Sequence, residues 1–159
     1  MIEIKGDFSD NELAFIKVLN ESLTNQYQLE GTVKNRGEFV RYEGYIGNPE
    51  LDDLLIIQFS VRDDEDTENG GCNFVYISNI VVPYKYRRHG IATGIISLIS
   101  IVANKKLGIA FFITGIVNDE WKESLIRNGG VEDEDGDVQI IHEDWIERWY
   151  YTYGPGKTM

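Results

Sequence analysis

Residues 81–92 read Val-Val-Pro-Tyr-Lys-Tyr-Arg-Arg-His-Gly-Ile-Ala, and this stretch decides the fold. Its first residues end a β-rich run, and its last residues begin an apolar stretch with helical spacing. The densest cationic cluster of the chain lies between them and comprises Lys85, Arg87, Arg88 and His89. A helix N-terminus offers unpaired N–H groups to an anion, and Gly90 lets the anion approach the backbone. The stretch predicts a phosphate-binding loop, although these residues alone also fit a solvated turn with a capping glycine.

The elements on either side of this loop predict a β-turn-α-β unit. Two β-rich runs, 54–61 and 73–82, are separated by an acidic segment, 63–71, which indicates an antiparallel hairpin with a charged tip. An apolar helix is predicted over about 91–106, and a buried strand over 109–117. A strand that follows a helical crossover lies parallel to the strand before it, so 73–82 and 109–117 should be near-parallel neighbours.

The rest of the chain has weaker patterns. Ser9 to Glu12 form a capping box before a helix over about 10–23, and a second helical or irregular piece is expected to run to about Lys34. A turn at 35–37 precedes a strand that begins at 39–42. After a helix over about 119–128 come an acidic loop, 132–137, and two closing strands, which are predicted at 138–141 and 149–153.

The loop and its setting resemble the GNAT superfamily of acetyl-CoA-dependent acyltransferases. That family's pyrophosphate loop has Arg or Gln, two variable residues, Gly, one variable residue and then Gly or Ala, and 87–92 fits every position. The apolar strand end, Pro83 and the Tyr86-Arg87 pair match the family's usual approach to the loop. The resemblance implies an α/β (α+β) fold: one domain over 1–159 with a mixed, mostly antiparallel twisted sheet of about six to seven strands and helices on both faces.

The resemblance also implies where coenzyme A binds. The pantetheine arm would pair with the backbone of the strand before the loop, and a free N–H there would stabilise the oxyanion of the thioester. Asn118 matches a family asparagine that touches the cofactor, but it fits an ordinary helix N-cap equally well. The implied cofactor-binding residues are Ile80, Val81, Val82, Arg87, Arg88, His89, Gly90, Ile91, Ala92, Thr93 and Asn118.

Catalytic residues remain unassigned at this stage. The family usually carries a tyrosine general acid in the helix after the fifth strand, but the corresponding position here is Leu125 or Ile126. Ser78 lies near the place where some relatives carry a glutamate base. Other groups that could serve as the base, directly or through water, are Glu43, Glu143, Asp144, Tyr150 and Tyr151.

Composition narrows the choice of partners. A formal net charge of −12 disfavours nucleic acid and favours a cationic amine acceptor, either a small molecule or a protein. A single cysteine, Cys72, and the absence of a secretion signal or a membrane-length apolar stretch predict a cytoplasmic protein. With His89 and His142 as its only histidines, the chain is not expected to bind a metal. A homodimer is left open.

The sequence leaves three functions to compare. The first is transfer of an acetyl group from acetyl-CoA to a primary amine, and its main support is the intact loop 87–92. The second is a GNAT-shaped binding or inhibitory module with an acidic partner surface, which the missing tyrosine favours. The third is a nucleotide- or phosphate-binding regulator, which would explain the basic loop but not the proline approach and the order of elements.

Overall fold

The computed structural model describes residues 3–29, 31–46, 54–64, 72–83, 91–116 and 119–145. The described strands form one eight-stranded sheet in the order β1-β2-β3-β4-β5-β6-β8-β7. Their bounds are β1 Glu3–Lys5, β2 Gly31–Asn35, β3 Val40–Tyr45, β4 Leu54–Asp64, β5 Cys72–Val81, β6 Ala110–Ile113, β7 Val131–Glu132 and β8 Val138–Ile140. The sheet therefore exceeds the predicted six to seven strands, because the short β1 and β7 carry little sequence signal.

Three helices of at least nine residues accompany the sheet: α1 Asp10–Tyr27, α2 Ile91–Ser100 and α3 Asp119–Arg127. A π-helix, Ile101–Lys106, continues α2, so the predicted helix 91–106 has the right extent but changes type. A helical turn at 142–145, labelled α4, follows β8.

The capping box of α1 is confirmed. The Ser9 hydroxyl accepts a hydrogen bond from the Glu12 N–H at 3.1 Å, and the Glu12 carboxylate accepts one from the Ser9 N–H at 2.9 Å. The helix ends at Tyr27, beyond the predicted residue 23, and Gln28 takes a left-handed conformation with φ 56°. The second helical or irregular piece that was predicted up to about Lys34 is helical as far as Tyr27, where α1 ends, but it is wrong for residues 31–34, which belong to β2. Buried and partly exposed residues alternate along β2, which is the pattern of a strand with one face against the core and not of a helix.

The predicted β-turn-α-β unit is confirmed. Antiparallel pairing joins β4 to β5 from Ile56–Val81 to Asp64–Cys72, and parallel pairing joins β5 to β6. A helix-facing surface of the sheet carries buried Phe59, Val75, Ile77 and Phe111. On this surface Phe15 of α1 packs edge-on against Phe59, with ring centroids 4.9 Å apart. Helices α1 and α2 also contact each other, so the core lies between them and the sheet.

The last part of the sheet departs from chain order. Strand β8 lies between β6 and β7, paired antiparallel with both, and Val138 is opposite Ile113. This confirms the strand predicted at 138–141, whereas the one predicted at 149–153 falls outside the described residues. Because β8 runs antiparallel to β6, the turn 133–137 lies at the C-terminal end of β6, and α4 lies at the opposite end of the sheet.

Candidate functional site

A slot opens between β5 and β6. The two strands pair in parallel from Phe74–Ala110 to Ile77–Ile113, and the Thr114 N–H donates to the Ile77 carbonyl at 2.9 Å. Beyond this point β5 continues through residues 78–81, still paired with β4, while the chain after β6 turns away through Gly115 at φ 66°. Within the described part of the chain, no further β5–β6 pair follows Ile77–Ile113.

A β-bulge marks the start of this slot. Gln58 pairs with Asn79 and Phe59 pairs with Ile77, so Ser78 is the extra residue on β5. The Ser78 hydroxyl contacts the Gln58 carbonyl at 3.4 Å, and both Ser78 and Asn79 are exposed. A bulge redirects the backbone and increases local twist. It therefore helps turn residues 78–81 away from the line of β6.

The predicted pantetheine-pairing residues lie on this slot. Ile80 and Val81 pair with Ile57 and Ile56 of β4, and Ile80 is partly buried against the core. Val82 follows β5 and is 8% exposed. The side chains of Ile80 and Val82 thus serve packing, and the edge of the Ile80 and Val81 backbone opposite β4 faces the slot.

Helix α2 begins at the same end of the sheet as the slot. Its first turn contains no acidic residue, which suits an anion at the N-terminus. Ile91 opens the helix, Ala92 and Thr93 follow in its first turn, partly buried, and the Tyr27 hydroxyl lies close against Gly94. The other predicted loop residues, Arg87, Arg88, His89 and Gly90, lie outside the described residues, as does Asn118.

The helix after β6 does not supply a phenol. Leu125 is 2% exposed, and the Gly130 N–H donates to its carbonyl at 2.8 Å. Ile126 is 39% exposed on the other side of α3. Both positions that could correspond to the family tyrosine are therefore occupied by apolar side chains, Leu125 in the core and Ile126 at the surface. A proton donor has to come from another element.

The carboxylates proposed from sequence are spread over the sheet. Glu43 on β3 is two strands from β5 and pairs with Arg41 at 2.6 Å and Lys34 at 3.4 Å, so it is already engaged in ion pairs. Glu143 and Asp144 lie in α4, at the end of the sheet opposite the slot. Tyr150 and Tyr151 fall outside the described residues. Of the candidate bases that lie in the described part of the chain, Ser78 is the one at the slot.

An aromatic cluster missed in the sequence lies beside the slot, on the sheet surface away from the core. Tyr76 stacks on Phe112 of β6, with ring centroids 5.2 Å apart and 17° between the planes. Phe74 lies 6.4 Å from Tyr76 and 5.9 Å from Phe112, and the Arg62 guanidinium lies 5.2 Å from the centre of the Tyr76 ring. The sequence contained one signal for this cluster. Phe74 and Tyr76 alternate with Val75 and Ile77, so the two aromatic residues had to share the face of the strand opposite to the core.

The environment of Tyr76 favours the neutral phenol. Burial raises its pKa above the usual 10.0, Arg62 lowers it, and the carboxylates of Asp137, Asp133 and Asp135 raise it further. These carboxylates belong to the turn at the slot end of β6 and β8, so the turn borders the aromatic cluster. The acidic turn therefore lies beside the slot, whereas Glu143 and Asp144 lie at the far end of the sheet.

A second polar cluster joins α2, the π-helix and α4 far from the slot. His142 is 7% exposed, and its Nδ1 lies 3.3 Å from the hydroxyl of buried Ser100. The Ser100 hydroxyl donates to the Ser97 carbonyl at 2.6 Å, and the Asn104 side chain accepts from the His142 N–H at 2.9 Å. Burial lowers the pKa of His142, with Lys105 adding to the effect and Glu143 opposing it. This cluster fastens α4 to the helices.

Among the described residues, no three His, Cys, Asp or Glu side chains lie close enough together to hold a metal ion. No helix in the described ranges has the length and apolar character needed to cross a membrane.

Solved structures similar to the chain include the KacTA–DNA complex, at 17% identity over 91% of this chain and 89% of the other, with a TM-score of 0.52. A mutant AtaT toxin bound to the C-terminus of the antitoxin AtaR and acetyl-CoA matches at 13% identity over 87% and 85% of the two chains, with a TM-score of 0.50. AtaTR bound with acetyl-CoA matches at 13% identity over 69% and 71%, also at 0.50. No protein-family model matches the chain, and no curated protein matches it in sequence.

These structures are GNAT-fold acetyltransferases, and the chain therefore has the GNAT fold. The expected mixed sheet and the unit formed by β5, α2 and β6 agree with this likeness. The likeness is one of fold, and activity has to be argued from the slot.

Proposed function

We propose that the chain is an acetyl-CoA-dependent N-acetyltransferase that acetylates a primary amine. The observation that carries this proposal is the slot between β5 and β6, which opens beside the N-terminus of α2. An extended pantetheine arm can add to the β5 backbone as a strand would, while the helix N-terminus and the basic residues Arg87 and Arg88 hold the phosphates. Acetyl-CoA is a co-substrate here, and the chain's own groups bind and orient it.

The amine acceptor is expected to be cationic. The chain has a net charge of −12, and the turn 133–137 places acidic side chains beside the slot. Such a field raises the local concentration of cations and repels polyanions. Polyamines, aminoglycosides and basic peptides are therefore the first acceptors to assay, and an aminoacyl-tRNA is the contrasting acceptor whose amine is attached to a polyanion.

Binding and turnover test this function separately. Coenzyme A at one hundred times its Kd should stabilise the protein by roughly 2.7 kcal/mol and raise its Tm. Release of free thiol from acetyl-CoA should then depend on an acceptor from the panel. The absence of a Tm shift at millimolar coenzyme A would contradict the proposed binding site.

Charge reversal tests the basic loop. Arg87→Glu together with Arg88→Glu should weaken coenzyme A binding about tenfold or more in calorimetry, because charge-assisted contacts to phosphate are lost. Arg36→Glu is the matched control, since Arg36 is exposed in the β2–β3 turn, away from α2. Unchanged affinity in the folded double variant would remove these arginines from the binding site.

The second candidate is a GNAT-shaped binding module without catalysis. One specific observation favours it, namely the buried Leu125 where the family usually has its tyrosine. This candidate predicts coenzyme A binding without thiol release for any acceptor of the panel, so the two assays above distinguish the two functions.

A further inference from the structure

A thioester that is attacked by an amine releases a thiolate, and α3 carries no tyrosine to protonate it. This argument rests on the proposed acetyl transfer at the slot. Leu125 is in the core and Ile126 is an exposed apolar residue. If the chain is a catalyst with proton assistance, the donor must come from the surface that borders the slot.

Tyr76 lies on that surface. It precedes Ile77, the residue of the last β5–β6 pair, and is two residues, or about 6.6 Å, from the bulge at Ser78. Its side chain is on the face opposite to Ile77 and Phe59, and therefore opposite to the packed α1. Because the phosphates are assigned to the N-terminus of α2, on the helical side, the acceptor is expected to reach the thioester from the side of Tyr76.

The Tyr76 ring is held in place by its neighbours. It stacks on Phe112, and Arg62 lies over the ring. Tyr76 is partly buried. The carboxylates of Asp133, Asp135 and Asp137 lie on the turn at the slot end of β6 and raise the pKa of the phenol, whereas Arg62 lowers it. Among the described residues, these four charged side chains affect the pKa of the Tyr76 phenol. Together with burial, their net effect is to raise this pKa above 10.0, so the phenol is protonated at neutral pH.

The other described tyrosines do not meet these conditions. Tyr42 is fully buried, and its hydroxyl donates to Asn20 Oδ1 at 3.1 Å. Tyr27 lies against Gly94 on the helical side. Tyr45 is 37% exposed at the end of β3, two strands from β5. Among the described residues, Tyr76 is thus the phenol on the open face beside the slot.

We infer that Tyr76 is the general acid of the transfer, in place of the tyrosine that α3 lacks. The ammonium group of the acceptor first gives one proton to solvent. The neutral amine nitrogen then forms the new C–N bond at the acetyl carbon, and the C–S bond breaks. The phenolic proton passes to the departing sulfur, giving free coenzyme A thiol. The phenolate is then reprotonated by the proton that the acceptor nitrogen loses, directly or through water, so that atoms and charge balance over one turnover.

Tyr76→Phe tests this role with little change in shape. Since general acid–base catalysis typically contributes 10²- to 10⁴-fold, we expect kcat to fall by roughly 10²-fold while the Kd for coenzyme A stays within about twofold. Tyr45→Phe and Tyr27→Phe are matched controls that should retain kcat. Circular dichroism and the Tm of each variant establish that it is folded.

A double-mutant cycle separates proton donation from packing. Phe112→Leu removes the ring on which Tyr76 stacks, and it should lower kcat about tenfold in the otherwise unaltered protein. In the Tyr76→Phe background it should have little further effect on kcat, because the hydroxyl that Phe112 positions is already gone. A merely structural role would give additive effects and would change the Kd for coenzyme A as well.

The outcomes distinguish the two proposals. Acceptor-dependent thiol release with full kcat in Tyr76→Phe overturns the role of Tyr76 and leaves the proposed function intact. Coenzyme A binding without turnover in the unaltered protein overturns the proposed transferase function and the role of Tyr76 together. A selective loss of kcat in Tyr76→Phe, with normal activity in both controls, supports both.

Discussion

At the scale of single residues, His142 links acidity to stability. Its imidazole is buried against Ser100, and its pKa in the folded protein is lowered from 6.5. The folded state therefore takes up this proton less readily than the unfolded state does. The stabilising contribution is fully present above pH 6.5, and it is lost as the pH falls from 6.5 through the folded-state pKa.

The direction of this pH dependence of stability can be measured by urea unfolding at pH 7.5 and pH 5.5. The unaltered protein should lose more unfolding free energy between these values than His142→Gln does, because the variant has no group to titrate at this position. His89→Gln is the control, since it removes the other histidine and leaves the Ser100 contact in place. An equal pH dependence in all three proteins would show that His142 does not contribute to it.

At the scale of elements, α1 depends on the cap that the sequence announces. Ser9 and Glu12 satisfy each other's backbone N–H groups at the start of the helix. Helix α1 carries Phe15, Ile16, Leu19 and Leu23 into the core, so fraying of its first turn weakens the packing on β4. Loss of the cap should therefore weaken the core packing of α1 as well as its first turn.

Replacing Ser9 with Ala should lower the free energy of unfolding by about 1 kcal/mol, since the Glu12 N–H loses its acceptor. Ser9→Asp should restore most of the loss, because a carboxylate caps the same N–H and also interacts favourably with the helix dipole. Denaturant unfolding of the three proteins measures both effects. A loss in Ser9→Asp as large as that in Ser9→Ala would rule out capping as the cause.

Local sequence patterns correctly predicted the elements whose structure depends mainly on residues that are close together in the chain. The capping box fixed the start of α1, and hydrophobic runs located β4, β5 and α2. The prediction for residues 31–34 was wrong because Val33 is buried in the core and these residues pair with β3, neither of which local propensity reports. The place of the slot could be anticipated through the family resemblance, and the phosphate loop at 87–92 stays a prediction. The stacking of Tyr76 on Phe112 could not be anticipated, because it depends on residues far apart in the chain.

At the scale of the whole molecule, acidic residues lie at both ends of the sheet. The acidic turn 133–137 lies at the slot end, while Asp63 and Asp64, which lead into the other acidic segment of the sequence, lie at the opposite end of β5. A cationic acceptor that is steered by charge should respond to the first acidic segment and not to the second.

Neutralising Glu134, Asp135 and Asp137 as amides should lower kcat/KM for a cationic amine, and more strongly at low salt, where screening is weakest. Asp133 is kept because its carboxylate accepts hydrogen bonds from the Asp135 and Asp137 N–H groups at 2.9 and 3.0 Å and holds the turn. The equivalent amide substitutions at Glu65, Asp66 and Glu68 are the control and should have little effect. Full kcat/KM with an unchanged salt dependence would reject steering by this turn.

The insertion of β8 between β6 and β7 has a consequence for synthesis on the ribosome. Until residues 138–140 have left the exit tunnel, β6 is an open strand edge that carries Phe111 and Ile113. Exposed hydrophobic strand edges can pair with other chains. A nascent or truncated chain that stops before β8 therefore presents an edge that is prone to aggregation. The β6 edge is thus covered only after residues 138–140 have been synthesised, and a pause in translation just before β8 would prolong its exposure to chaperones.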